Sequence, residues 1–308
     1  CPKADPVTEA ELRRVHPAYY LDKFREICAA GGGEMIQGTP FGPDGFEIAA
    51  QSAGLVKEAL LSVLRGQVRN AYALSRPPGH HCLPDQSMGF CLLANIAVAV
   101  EAALAEGQAS RVAVVDWDVH HGNGTEAIFL ERGDVLTISL HQENNFPRDT
   151  GGVGTRGTGN GEGLNINIPL MPGSGHDAYL YAFDRIVAPS LRNFKPDAIV
   201  VACGFDASGL DPLSRMLASA KTFREMTTRM MTLADELCGS RLVLAHEGGY
   251  SEVYVPFCGH AVIQALSGST ITAPDPFEER LHKQQPNERF QALQRTILDE
   301  YADQFGVD

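Results

Sequence analysis

Histidines and carboxylates follow two apolar runs of the sequence directly. "VVDWDVHHGNGT", residues 114–125, places Asp116, Asp118 and His120 at alternate positions, and "RPPGHHC", residues 76–82, contains the adjacent pair His80 and His81. If the strand continues through residue 119, alternate residues share one face at its carboxyl end. Two carboxylates and an imidazole so close together repel unless a cation or shared protons compensate them. The pattern therefore favours a divalent metal site.

A third metal ligand is predicted from "ACGFDASGLDP", where Asp206 follows another apolar run, just past Gly204. Two oxygen ligands and one nitrogen ligand leave a coordination position for water, which is typical of a catalytic zinc rather than a structural one. The ligand types alone leave Fe²⁺ open as an alternative to Zn²⁺.

The tandem histidines need partners that orient their second ring nitrogens. His80 and His81 follow Pro77, Pro78 and Gly79, which indicate a rigid turn. Asp116 and Asn123 are the remaining polar groups of the 114–125 segment and are predicted as the partners. "LAHEGGY" adds Tyr250, whose hydroxyl can stabilise an oxyanion above a metal.

These motifs require a sheet that collects strand ends at one edge. Apolar β-branched runs alternate with helical patterns, which predicts an α/β fold with an open, mostly parallel sheet and helices on both faces. We predict strands over 71–76, 111–119, 135–141, 198–206 and 241–249, with helices over 47–66, 90–107, 177–194, 221–239 and 258–268. The glycine-rich segment 149–163 is predicted to be a surface loop rather than a phosphate-binding loop.

Length and composition indicate one catalytic domain over residues 1–308, with a helical tail at about 272–308 packed on it. The net charge of −13 argues against nucleic acid as a partner. Seven cysteines without a C-x-x-C pair favour reduced thiols. No signal peptide and no long apolar run is evident, so we expect a soluble cytoplasmic protein without membrane contact. A homo-oligomer remains open.

Taken in order, "RPPGHH", "GFC", "VVDWDVHHGNGT", "SLH", "GFDASGLDPL" and "EGGY" resemble the zinc-dependent histone deacetylase superfamily. That superfamily includes bacterial deacetylase-like amidohydrolases and acetylpolyamine amidohydrolases. The resemblance runs from about residue 12 to residue 268, implies an arginase/deacetylase-like fold, and is closest to the class II branch because Asn123 replaces an aspartate. The N-terminal strand and rim loop usual in the family are expected to be missing from this sequence.

The resemblance implies a role for each motif. Asp118, His120 and Asp206 would bind zinc and leave a water molecule as the nucleophile. His80 would pair with Asp116, and His81, the proton shuttle, with Asn123. Because an amide stabilises a charged imidazole less than a carboxylate does, His81 is predicted to have the lower pKa of the two histidines. Tyr250 would complete the catalytic set.

The resemblance also implies a narrow substrate channel and two K⁺ sites. Gly89, Phe90 and Phe146 would line the channel, although core packing is the alternative for both rings, and Leu213 lies where polyamine-selective relatives carry an acidic gatekeeper. The first K⁺ would be bound by the backbones of Asp116, Asp118 and His120 with Ser139 and Leu140. The second would be bound by Phe129, Arg132 and Val135.

The expected function is hydrolysis of an acetamide to acetate and an amine, with an acetyl-lysine peptide or another acetylated amine as substrate. Three alternatives remain. One is an acetylpolyamine amidohydrolase, one is a non-catalytic metal-binding regulatory module, and one is a two-metal hydrolase similar to arginase.

Overall fold

A six-stranded parallel sheet lies at the centre of the computed structural model, which describes residues 4–36 and 38–307. Its strands are β3 (Asn70–Ala73), β4 (Val112–Asp116), β5 (Val135–Gln142), β6 (Asn165–Leu170), β7 (Ala198–Cys203) and β8 (Leu242–His246). Their order in the sheet is β3-β8-β7-β4-β5-β6, and every neighbouring pair is parallel. The predicted α/β fold is thereby confirmed.

Burial on both faces explains the composition of the strands. Every residue of β4, β5, β6 and β7 is buried, as expected for parallel strands that are covered by helices on each side. The sequence did not predict β6, "NINIPL", because two asparagines interrupt its apolar run. Asn165 and Asn167 are buried because their amides donate to Glu126. A separate antiparallel pair, β1 (Gly33–Glu34) and β2 (Pro40–Phe41), was also not predicted.

Helices cover both faces of the sheet. The long helices lie close to their predicted positions. Residues 176–194 form one helical run, in which a π-helical turn, Phe183–Val187, connects the helix that ends at Ala182 to the helix that begins at Ala188. The helices are α1 (Glu9–Leu12), α2 (Ala18–Ala29), α3 (Gly45–Leu64), α4 (Asn95–Ala105), α5 (Asn123–Phe129), α6 (His176–Ala182), α7 (Ala188–Phe194), α8 (Ala220–Cys238), α9 (Val255–Ser267), α10 (Glu278–Lys283) and α11 (Glu288–Phe305).

Each face of the sheet has its own hydrophobic core. Phe24, Leu60 and Ile96 belong to one core, and Trp117 and Phe183 belong to the other. The helical tail joins the second core, where the Tyr181 hydroxyl donates to Asp299 of α11 at 2.9 Å. The two cores hold the sheet rigidly from both sides, which fixes the positions of its strand ends.

The strands that carry the motifs are shorter than predicted. β4 ends at Asp116, β7 at Cys203 and β8 at His246. Asp118, His120 and Asp206 therefore lie in the loops that follow, and the prediction that alternating strand geometry aligns Asp118 with His120 is wrong. The three residues still lie at one edge of the sheet because parallel strands end there together.

Two further expectations concern loops and thiols. The segment 149–163 forms a loop with a single 3-10 turn, but Gly151, Gly157 and Gly161 are buried in it, so it is not wholly a surface loop. The six cysteines within the described residues are all free, and Cys1 lies outside those residues. Among the described helices, none has both the length and the apolar character needed to cross a bilayer.

The core on the α2 side gives a test of the fold. Phe24 is fully buried and packs edge-on against Phe41 and Phe46. We expect Phe24→Ala to lower the free energy of unfolding by about 3–5 kcal/mol, since it removes a large buried ring. Urea denaturation measures the change, and Lys23→Ala on the exposed side of the same helix is the control. Equal urea denaturation midpoints for Phe24→Ala and Lys23→Ala would contradict this packing.

Candidate active site

Three of the predicted metal ligands converge at the carboxyl edge of the sheet. His120 Nδ1 lies 3.0 Å from Asp118 Oδ1 and 3.0 Å from Asp206 Oδ2. One donor atom from each residue lies within 4.8 Å of the other two, and all three side chains are buried. Residues separated by 88 positions in the sequence thus form one compact group with two oxygen donors and one nitrogen donor.

Backbone amides fix both carboxylates of this group. The Gly248 N–H donates to Asp118 Oδ2 at 2.7 Å, and the Val119 N–H donates to Asp206 Oδ1 at 2.8 Å. Val119, in the loop after β4, therefore holds the Asp206 carboxylate. Gly248, in the loop after β8, holds the Asp118 carboxylate. Such hydrogen bonds orient metal-binding carboxylates in advance of the metal.

Two glycines leave room for the ligand carboxylates. A Cβ on Gly204 would lie 2.2 Å from Asp118 Oδ2, and a Cβ on Gly248 would lie 2.1 Å from Asp206 Oδ2. No side chain fits at either position without moving a carboxylate. Close approach of the backbone, rather than an unusual φ angle, is what requires glycine here.

The charges of the group fit a divalent cation. Burial, and then the negative charge of Asp118, raise the pKa of Asp206 to about 7. Burial lowers the pKa of His120, but its hydrogen bonds to the two carboxylates outweigh that effect and raise it to about 10. The two carboxylates thus require positive charge between them, and a divalent cation provides more of it than a proton on His120.

The tandem histidines have the partners that were predicted for them. His80 Nδ1 lies 2.9 Å from Asp116 Oδ2, and His81 Nδ1 lies 2.8 Å from Asn123 Oδ1. Since both partner atoms are acceptors, each Nδ1 carries a proton, and the Nε2 of a neutral ring is left as an acceptor. The two rings lie against each other, with centroids 3.9 Å apart.

The pKa order of the two histidines agrees with the sequence-based expectation. Burial opposes a charged His80, but the carboxylates of Asp118 and Asp116 outweigh it and raise its pKa well above the ordinary value. Burial, followed by the positive charge of His80, lowers the pKa of His81 well below the ordinary value. His81 is therefore the neutral member of the pair.

Tyr250 lies close to the metal-ligand group. Its ring centroid is 6.4 Å from that of His120, and its backbone N–H donates to Asp211 Oδ2 at 2.7 Å. Asp211 Oδ1 accepts from the Leu213 N–H at 2.9 Å. Asp211 thus joins the Tyr250 loop to the loop that carries Leu213, and we did not predict this role from the sequence.

The two aromatic residues predicted for the channel lie near this group: the Phe146 ring centroid is 5.0 Å from that of His81, and the Phe90 ring centroid is 6.0 Å from that of Tyr250. Phe90, Phe146 and Leu213 are 47%, 40% and 45% exposed, so the alternative of core packing for the two rings is wrong. Gly89 has φ of +55°, and a Cβ there would lie 2.3 Å from His81 Cδ2 and 2.9 Å from Phe146 Cε1. The absent side chain leaves space directly above His81.

The residues predicted for K⁺ binding lie in two places near β5. Asp116 and Ser139 are register partners across β4 and β5, and the Ser139 Oγ lies 3.0 Å from His141 Nδ1. Leu140 is the next residue of β5. Phe129 ends α5, its carbonyl accepts from the Arg132 N–H at 2.9 Å, and Val135 begins β5. Both K⁺ sites remain predictions.

Two residues near the histidines were quoted in motifs but given no function. Glu247 Oε2 accepts from the N–H groups of Gly79 and His80 at 2.8 and 3.2 Å, so it holds the histidine turn. Cys91 Sγ accepts from the His81 N–H at 3.4 Å. A charged residue directly after the apolar strand β8 was the available signal for Glu247, whereas nothing in the local sequence distinguishes Cys91.

Comparison with known proteins identifies the class of protein. The family described as the histone deacetylase domain matches residues 1–266. A histone deacetylase-like amidohydrolase of Pseudomonas aeruginosa is 55% identical over 304 residues, which cover 99% of this chain and 80% of the relative. Histone deacetylase 8 of Arabidopsis thaliana is 37% identical over 277 residues, covering 88% and 72%. The crystal structure of the HDA15 HD domain aligns with a TM-score of 0.83 and 32% identity, covering 98% of this chain and 84% of that one.

The chain therefore belongs to the histone deacetylase family. It is a hydrolase that acts on amide bonds, and the resemblance predicted from its motifs is confirmed. The family typically binds a zinc ion, for which the group of Asp118, His120 and Asp206 is a candidate site.

The fit of Gly248 against the carboxylates can be tested by substitution. We expect Gly248→Ala to lower metal content by at least about tenfold, because the new Cβ displaces Asp206 and Asp118 from their hydrogen-bonded positions. Elemental analysis of the purified protein measures the metal. Gly259→Ala is the control, since a Cβ there makes only an ordinary contact, 3.6 Å from Phe205. Full metal content in Gly248→Ala would contradict this account.

Proposed function

We propose that this protein removes the acetyl group from an acetylated amine, most favourably an acetyl-lysine side chain. The observation that carries the proposal is the convergence of three metal-binding side chains beside the tandem histidines and Tyr250. Family membership supports the amide hydrolysis, and the arrangement of side chains supports the particular roles given below.

Asp118, His120 and Asp206 would hold the metal, most favourably zinc, with Fe²⁺ as the alternative. When bound, zinc supplies a Lewis acid that polarises the acetyl carbonyl and lowers the pKa of water. The chain contributes the placement of the donor atoms, since each carboxylate already accepts a backbone hydrogen bond. No reorganisation of these ligands is then required when the substrate arrives.

His81 is proposed as the proton-transfer group. Its Nδ1–H donates to Asn123 Oδ1 at 2.8 Å, which leaves Nε2 free to accept a proton from the attacking water. The same nitrogen then donates that proton to the leaving amine. His80, whose Nδ1–H donates to Asp116, contributes positive charge to the site and holds its neighbour His81 neutral.

Tyr250 is proposed to stabilise the negative charge that develops on the substrate oxygen. Its hydroxyl is the oxyanion donor, and burial, followed by the charge of Asp118, raises its pKa well above the ordinary value, so that the proton stays on the oxygen. Asp211 acts as a positioning residue, since it fixes the Tyr250 backbone at 2.7 Å.

The walls of the channel favour an extended alkyl chain as the carrier of the acetyl group. Phe90, Phe146 and Leu213 present partly exposed apolar side chains, and Gly89 has no side chain to collide with His81 and Phe146. Leu213 lacks the charge that would recognise a distal ammonium group, which supports acetyl-lysine over an acetylpolyamine. The two K⁺ sites belong to the same proposal; K⁺ near Asp116, Asp118, His120, Ser139 and Leu140 would stabilise the ligand loop.

Replacing the Tyr250 hydroxyl tests its role. We expect Tyr250→Phe to lower kcat for an acetyl-lysine peptide by about 10²–10³, as is typical when one oxyanion donor is removed, with metal content unchanged. Steady-state kinetics and elemental analysis provide the two readouts. Tyr19→Phe, which removes the hydroxyl of an exposed tyrosine, is the control. Unchanged turnover would remove Tyr250 from the mechanism.

The choice of substrate is tested by direct competition between two acetylated amines. We expect kcat/KM to be at least about tenfold higher for an acetyl-lysine peptide than for acetylputrescine, since Leu213 offers no charge to the free ammonium group. In Leu213→Glu this preference should shift toward acetylputrescine, whereas Leu213→Gln, of the same size but neutral, should not shift it. A wild-type preference for acetylputrescine would favour the polyamine alternative.

A further inference from the structure

A second group of metal-binding side chains lies beside the proposed catalytic site. His80, Cys91 and Glu247 each offer one donor atom, and these three atoms lie within 4.8 Å of one another. All three side chains are buried. The group shares no residue with Asp118, His120 and Asp206, so it is a distinct set of donors.

Glu247 has a carboxylate oxygen that lacks a partner. Its Oε2 accepts two backbone hydrogen bonds, from Gly79 and His80, whereas its Oε1 is buried without any hydrogen-bond donor. Asp116 differs, because its Oδ2 pairs with His80 and its Oδ1 accepts from the Asp118 N–H. A buried carboxylate oxygen without a donor is costly, and a cation would relieve that cost.

The donor types suit a thiophilic divalent cation. Sulfur from Cys91, nitrogen from His80 and oxygen from Glu247 are the three ligand types that zinc accepts in proteins. The His80 Nδ1 is held by Asp116, so Nε2 is the ring nitrogen available to a cation. A thiolate and a carboxylate together balance the charge of a divalent ion, and the Cys91 proton and the Nε2 proton of a charged His80 are released to water on binding.

We propose that His80, Cys91 and Glu247 form a second, inhibitory site for a thiophilic divalent cation such as zinc in excess of the first equivalent. Occupation takes the Nε2 nitrogen of His80 in place of its proton, so the ring is fixed on the cation and no longer acts as the charged partner of His81. The two sites adjoin, since His80 Nε2 lies 3.8 Å from Asp118 Oδ1. Repulsion between the two cations makes the second one bind more weakly than the first. The binding stands independently of the proposed function, whereas the inhibition rests on it.

Cobalt distinguishes the two sites because only the second contains sulfur. Protein carrying one equivalent of zinc is titrated with Co²⁺ and followed by absorption spectroscopy. We expect a thiolate-to-cobalt charge-transfer band in the near ultraviolet that saturates at one added equivalent. Cys91→Ser should abolish the band, and Glu247→Gln should weaken Co²⁺ binding by at least about tenfold.

Cys82→Ser is the matched control, because Cys82 is also fully buried and lies next to His81 but outside the group. The band should be retained in this variant. Absence of the band in the wild type, or its persistence in Cys91→Ser, would overturn the proposed site. Loss of the band in Cys82→Ser would also overturn it, because Cys82 rather than Cys91 would then be needed for the sulfur–cobalt contact.

The inhibitory effect is measured separately. The hydrolysis rate of each protein is followed as a function of zinc concentration and is expressed relative to the rate of the same protein with one equivalent of zinc. We expect excess zinc to inhibit the wild type and Cys82→Ser, with Cys91→Ser needing at least about tenfold more zinc. Binding of cobalt without inhibition by zinc would overturn the inhibitory part. A wild type that hydrolyses no acetylated amine would refute the proposed function, while the cobalt titration would still decide the site.

Discussion

Burial of several carboxylates at one edge of the sheet is the constraint on which the rest of this structure depends. Removing a charge from water costs several kcal/mol, so each buried carboxylate needs hydrogen bonds or positive charge nearby. Backbone N–H groups provide part of this compensation and histidines provide more. The positive charge that is still needed indicates where a cation would bind. The carboxylates concerned are Asp116, Asp118, Asp206 and Glu247.

One short segment after β8, residues 247–250, provides several of the contacts that compensate these buried charges and position the site. The Glu247 side chain holds the turn that carries His80, the Gly248 N–H holds Asp118, and the Tyr250 ring lies near that of Phe90. Because the segment follows a central strand, its position is set by the hydrophobic cores on both faces of the sheet. The proposed proton-transfer group, metal ligand and oxyanion donor are therefore held in one fixed arrangement.

The sequence predicted the fold class and the main side chains because both depend on strong local signals. Apolar β-branched runs predicted five strands, and polar residues after them predicted the edge at which Asp118 and Asp206 meet. β6 was missed because the burial of Asn165 and Asn167 depends on Glu126, which lies about forty residues earlier. The predicted strand ends were wrong for a related reason. Hydrogen bonds in the loops determine where each strand ends, and they form only in the folded chain.

Asp211, Cys91 and Glu247 could not be assigned from the sequence because their functions arise from contacts between distant loops. The Asp211 carboxylate, for example, accepts from the backbone of Tyr250, and no pattern in side-chain types reports a backbone contact. Glu247 is visible as a charge after an apolar strand, yet only the structure shows which of its oxygens is satisfied. The unsatisfied oxygen lies in the same residue that fixes the His80 turn. The residue that holds the proposed catalytic histidines in place thus also carries the oxygen that would bind an inhibitory cation, because both backbone donors contact Oε2 and leave Oε1 buried without a partner.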